Sequence, residues 1–192
     1  MFLLLATWIA AIASPGPDLF QLIRVGTKDR RAGVLCALGI MVGNTFWIVA
    51  STAGLSALVN TFPQILAVLQ LVGGAYLGWM GWSAIRNASN PNVPAAASVR
   101  KPFRLGLATN LSNPKAILFF GAIFAQFNAG ALEAILLIVT GAVWFVGFAL
   151  LAAKLGGVIA QYGHVVDRVT GAIFVALAVW MILSGARTIL LS

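Results

Sequence analysis

Charged side chains make up only 8% of the 192 residues, while 61% are hydrophobic. A soluble domain carries about a quarter charged residues. Too little polar surface is present to cover a globule in water, which excludes a cytosolic enzyme, a secreted domain and a disordered tail. Cysteine occurs once, as Cys36 inside an apolar run, so no internal disulfide can form and no oxidising compartment is implied. Histidine also occurs once, as His164 in a basic stretch. The alternating pattern of β-barrel strands is absent too. What remains is an all-α polytopic membrane protein.

Six apolar runs stand out, at about 2–23, 32–58, 65–85, 105–127, 131–153 and 169–191. Each is close to the roughly 20 residues that cross a bilayer core as a helix. The first has no basic residue before its apolar part, and its small-residue stretch runs straight into Pro15, so it is expected to be retained as a helix rather than removed as a signal peptide.

The 12 Lys and Arg residues against 4 Asp and Glu give a net charge of +8. They fall between the apolar runs, so they read as topology signals and not as a nucleic-acid surface. Segments 24–31, 86–104 and 154–168 are basic, whereas 59–64 and 128–130 carry no charge. The positive-inside rule therefore expects the three basic loops in the cytoplasm and both termini outside. Residues 87–98, rich in Asn, Pro, Ala and Ser, read as a hinge. The expected organisation is a three-helix unit over 1–86, a linker over 87–104 and a second three-helix unit over 105–192.

An offset of 97 residues superposes Pro17 on Pro114, Trp47 on Trp144, Ala32-Gly33 on Ala129-Gly130 and Gly74-Ala75 on Gly171-Ala172. Three helices per half is an odd number, so the second half would enter from the opposite side, as in the inverted repeats of secondary transporters. Helices 1 and 4 each contain a breaker, Ser14-Pro15-Gly16-Pro17-Asp18 and Asn110-Leu111-Ser112-Asn113-Pro114-Lys115. An internal proline deletes a backbone hydrogen bond and clashes with the preceding turn, and the residue before it avoids the α region. Each helix is expected to break and restart with Pro17 or Pro114 at its first position, capped by Gly16 or Asn113. Two such starts facing each other would offer free N–H groups and positive dipole ends to a carboxylate.

The offset also pairs Asp18 with Lys115, the two ionisable residues well inside the apolar runs. A charge near the bilayer centre costs about 2.5–3.5 kcal/mol even on the lenient scale, so each needs a partner or a wet cavity. Asp18 is expected to bind an ammonium or a proton and Lys115 a carboxylate; the alternative is a structural salt bridge locking the halves. Asn110 and Asn113 add hydrogen-bonding groups, Asn113 first as a cap. Asn44 reads equally as pocket lining or as a helix–helix bond, and Gln21, one turn past Pro17, is a further candidate. Gly39-x3-Gly43 and Gly74-x3-Gly78 read as close-packing faces and leave room for a homodimer. Trp79 and Trp82 read as belt or packing residues.

These residues carry a resemblance. Pro15-Gly16-Pro17-Asp18, followed by Arg30-Arg31-Ala32-Gly33, then Gly74-Ala75-Tyr76-Leu77-Gly78-Trp79 and Asn110-Leu111-Ser112-Asn113-Pro114-Lys115-Ala116, looks like the LysE/RhtB amino-acid exporters (LysE-type translocators), over essentially the whole chain. The resemblance implies a multi-pass protein of the bacterial inner membrane with five or six spans, exporting small amino acids such as lysine, arginine, threonine, homoserine or leucine, driven by the proton motive force. It carries over Pro15, Gly16, Pro17, Asp18, Asn110, Asn113, Pro114 and Lys115 as site residues. Neutral amino-acid export by proton antiport is the leading expectation, with Asp18 as proton carrier. Export of a basic amino acid or of an inorganic ion is the alternative. No cofactor and no metal are expected. A nucleophile with a neighbouring base, metal-ligand spacing and a phosphate loop are all missing from the sequence, so an enzyme is not expected.

Overall fold

A computed structural model of the chain describes residues 1–14, 16–54, 58, 61–88, 101–120, 130–155 and 162–191. Most of the hinge expected over 87–98 lies outside these residues, as does Pro15. The described residues form eight helices and no strand: α1 (Phe2–Ala13), α2 (Pro17–Gly26), α3 (Arg30–Thr52), α4 (Pro63–Asn87), α5 (Pro102–Leu111), α6 (Pro114–Leu118), α7 (Ala131–Lys154) and α8 (Gly163–Leu191).

Proline opens four of them, at Pro17, Pro63, Pro102 and Pro114, where its missing N–H has no intrahelical partner to lose. Four helices are long and apolar enough to cross a membrane: α3, α4, α7 and α8. The pair α1 and α2, bent by 51°, makes a fifth if it is one span. The run expected over 105–127 is divided between α5 and α6, and its part beyond Phe120 lies outside the described residues.

Helix ends do not coincide with the edges of the basic segments. The segments 24–31, 86–104 and 154–168, expected as loops, hold helix as well. Arg24 sits in the last turn of α2, Arg30 and Arg31 open α3, Arg86 lies in α4, and α8 begins at Gly163. Charge marks where a chain leaves the lipid, but backbone hydrogen bonding continues past that point. The early start of α8 has a consequence. Asp167 accepts from Arg24 Nε at 2.8 Å and from Lys28 Nζ at 2.6 Å, clamping the end of α2 to the start of α8. Of the four acids in the chain, Asp29 caps α3 by accepting from the Ala32 N–H, and Glu133 accepts from the Gly130 N–H before α7.

Helix α2 is central, touching α3, α5, α7 and α8, while the most extensive pairs are α4 with α8 and α3 with α5. Glycine permits both. A Cβ at Gly81 would stand 2.6 Å from the Gly171 carbonyl oxygen, and the reverse holds at Gly171. A Cβ at Gly106 would overlap the carbonyl oxygen of Cys36, and one at Gly39 that of Phe103. The two expected small-residue faces are used inside the chain: Gly39 and Gly43 meet α5, and Gly74 and Gly78 meet α8. The outer surface is apolar, with Val72, Trp79, Trp82, Val143 and Leu183 all more than 60% exposed. Soluble monomers avoid such a surface, and lipid suits it.

Gly106→Ala should force α3 and α5 apart, because the obstructing atom is backbone and cannot rotate away. The expected loss is about 1–3 kcal/mol, read as a lower thermal midpoint of the detergent-purified protein.

Candidate functional site

The two helix breaks lie against each other. At the first, α1 ends at Ala13 and α2 restarts at Pro17 with Gly16 as cap. At the second, α5 ends at Leu111 and α6 restarts at Pro114, with Asn113 Oδ1 accepting from the Lys115 N–H at 3.0 Å. Lys115 Nζ donates to the Ser14 carbonyl oxygen at 2.6 Å, and lies 3.2 Å from Ser14 Oγ. It therefore caps the carbonyl end of α1, the negative end of that helix dipole. Gly16 makes room for this reach: a Cβ there would stand 3.1 Å from Lys115 Nζ.

The return tie runs the other way. Asn110, on the last turn of α5, donates through Nδ2 to Asp18 Oδ2 at 2.9 Å and to Asn44 Oδ1 at 3.1 Å. Two acceptors on one nitrogen fix the orientation of the amide. The residue following each helix-opening proline, Asp18 or Lys115, is thus bonded to a residue just before the other break. Asp18 and Lys115 are not within ion-pair distance of each other; the ion pairs found among the described residues are those of Asp167. The structural salt bridge considered for this couple is therefore not formed. The lysine is drawn to the α1 terminus and the aspartate to the amide.

The expectation of two free dipole ends also changes. Asp18 stands in the first turn of α2, so the chain's own carboxylate already complements that end. The described α-helical part of α6 has only five residues, too few for a substantial dipole. What the second break presents is the Asn113 amide and the Lys115 ammonium.

Between the breaks lies a narrow cleft of about 20 Å³, room for little more than one water molecule. Asp18, Asn44, Asn113 and Lys115 form its polar side. Trp8, Ile12, Ala116, Phe119, Phe120 and Phe145 form the other. Three buried polar atoms at this place have no partner: Asp18 Oδ1, Asn110 Oδ1 and Asn113 Nδ2. Such orphans are costly unless something occupies them. A second, open cleft of about 490 Å³ is lined by Ala10, Ser14, Pro114, Leu177 and Trp180. Lys115 lines both clefts.

Of the expected site residues, Gly16, Asp18, Asn44, Asn110, Asn113, Pro114 and Lys115 are gathered by these bonds and clefts. Pro17 is buried beside them. Gln21 is buried with both side-chain polar atoms unpartnered, but it does not line either cleft. Pro15 lies outside the described residues. The aromatic wall was not foreseen. Trp8 and Ile12, four residues apart on the buried stripe of α1, are its most legible part; Phe145 comes from α7 and gives no local signal. Among the described residues, no group of three His, Cys, Asp or Glu side chains gathers to hold a metal ion.

Comparison with known proteins shows the family. The profile of the LysE type translocators matches residues 9–185. The chain belongs to the LysE type translocator family. It is 34% identical to the uncharacterized membrane protein YahN of Escherichia coli K12, over 96% of this chain and 90% of that one. It is 33% identical to a threonine efflux protein of Salmonella typhi, over 92% of this chain and 94% of that protein. A leucine efflux protein of Enterobacter sp. strain 638 is 30% identical over 59% of this chain and 56% of its own. No solved structure matches. Family membership makes this LysE type translocator a multi-pass membrane transporter and not an enzyme.

Asn110→Leu should keep the packing volume but leave the Asp18 carboxylate buried without a donor. A loss of about 2 kcal/mol or more in unfolding free energy is expected. A change within about 0.5 kcal/mol, the range of ordinary surface substitutions, would show that this bond does not hold the breaks together.

Proposed function

We propose that this LysE type translocator exports neutral amino acids across the bacterial inner membrane, exchanging them for protons by alternating access at the paired breaks. The observation that carries this reading is the pair of unpartnered atoms, Asp18 Oδ1 and Asn113 Nδ2, on residues that line a cleft holding one acid and one amine. A zwitterion fits both. Its ammonium can donate to Asp18 Oδ1, and its carboxylate can accept from Asn113 Nδ2 and Lys115. The relatives named threonine and leucine efflux proteins support amino-acid export, and their names leave the side chain open.

Asp18 is the proposed proton carrier, the single acid lining the cleft. Entry of one proton across 100 mV supplies about 2.3 kcal/mol, and each tenfold gradient of a neutral solute costs about 1.4 kcal/mol, so one proton per amino acid suffices. Lys115, bordering two clefts, is suited to follow a carboxylate from one to the other. A basic amino acid would ask for a second acid, and the cleft lining has none. An inorganic cation would ask for a cluster of ligands, and none gathers among the described residues.

The same reading takes 1–86 and 105–192 as two inverted halves joined by the linker 87–104, six spans in all, with the basic segments cytoplasmic. The reciprocal ties of Asp18 and Lys115, equivalent under the 97-residue offset, support the repeat. The clamp of Asp167 on Arg24 and Lys28 supports placing 24–31 and 154–168 on one side of the membrane.

Asp18→Asn and Lys115→Ala should each abolish export while leaving membrane insertion intact, measured as amino acid released from dipeptide-loaded cells at equal protein level. Full export by either variant would remove that residue from the mechanism. Reporter fusions within 24–31, 86–104 and 154–168 should all report cytoplasm, and a periplasmic result at any of them would break the topology.

A further inference from the structure

The cleft has two chemically distinct sides, and the zwitterion uses one. The other comes from α1, from the segment following Pro114 and from α7: Trp8, Ile12, Phe119, Phe120 and Phe145. It is a packed aromatic surface, with ring centroids 5.8 Å apart for Trp8 with Phe119 and with Phe120, and 4.9 Å for Phe119 with Phe120. Its polar group is the Trp8 indole N–H, and that donates to Thr140 Oγ1 at 3.2 Å. The Thr140 hydroxyl donates in turn to the Leu136 carbonyl oxygen at 2.6 Å. The described side chains on this side of the cleft therefore keep no free donor or acceptor.

We infer that this wall, once the narrow cleft widens in the alternating-access cycle, receives the side chain of the exported amino acid and selects a branched aliphatic or aromatic one over a hydroxylated one. The inference rests on the zwitterion reading above and assigns Trp8, Ile12 and Phe145 as specificity-determining residues. With the ammonium on Asp18 and the carboxylate on Asn113 and Lys115, the α-carbon substituent faces the remaining wall. Leucine or phenylalanine covers that wall with apolar surface. Threonine or homoserine leaves part of it uncovered and sets a hydroxyl against groups that cannot bond it, and burying such a group unpaired is unfavourable. Differences of one or two methylenes in an apolar pocket discriminate by about 10- to 200-fold, so a preference of tenfold or more is expected.

The test uses cells overproducing the full chain and loaded in parallel with glycyl-leucine, glycyl-phenylalanine and glycyl-threonine, with release of each free amino acid measured against cells lacking the protein. Leucine and phenylalanine should leave at least about tenfold faster than threonine. Threonine leaving as fast as leucine overturns the inference and keeps amino-acid export. No amino acid leaving faster, with the protein present in the membrane, overturns export and the inference together. Ile12→Thr and Phe145→Tyr each add a hydroxyl to the wall. Either should move the leucine-to-threonine release ratio several-fold toward threonine. A folding defect lowers both rates and leaves their ratio alone, so an unchanged ratio in both variants also overturns the assignment.

Discussion

A buried carboxylate inside an apolar helix pair is the constraint on which the centre of this molecule is built. Asp18 cannot be left to lipid. The structure answers with the first turn of α2, with the Asn110 amide, and with a place on the wall of a narrow cleft. Each answer depends on a break. Without the restart at Pro17, Asp18 would lie mid-helix and lose the dipole end. Without the interruption at Ser112-Asn113, Asn110 would not end a helix beside it.

The second break is held by a complementary device. Lys115 spends its ammonium on the Ser14 carbonyl, and Gly16 leaves the space for it. The two ties run in opposite directions between the same pair of interruptions. Neither is a salt bridge: each charged group is held by a neutral partner, so parting the breaks frees a carboxylate and an ammonium together with an amide and a carbonyl. On the proposed reading, these hydrogen bonds are exchanged for bonds to a zwitterion carrying the same groups. A direct Asp18–Lys115 pair would have been a competitor for that ligand.

Around this centre the packing is close and mostly backbone on backbone. Gly39 and Gly106 bring α3 onto α5, which sets Asn44 and Asn110 within bonding distance. Gly81 and Gly171 bring α4 onto α8. At the far end of α2, Asp167 gathers Arg24 and Lys28. Helix α2 is thus fixed at its charged end by ions and at its broken end by amides, while α1, bent away by 51°, contributes the aromatic wall.

Composition and run length alone settled the solvent: with so little charge, only lipid can cover this surface. The two proline motifs announced the breaks and their caps, because proline acts on the backbone next to it and needs no distant partner. The glycine pairs announced close contacts without saying with whom. What lay beyond reach were relations between distant residues. That Lys115 would turn to Ser14 and not to Asp18, that Asp167 would belong to a helix and clamp α2, and that Phe145 would close a pocket begun by Trp8 depend on side chains more than a hundred residues apart. Local sequence dictates where a helix can start or stop. Which side chains then meet is decided by how helices pack, and no local pattern records that.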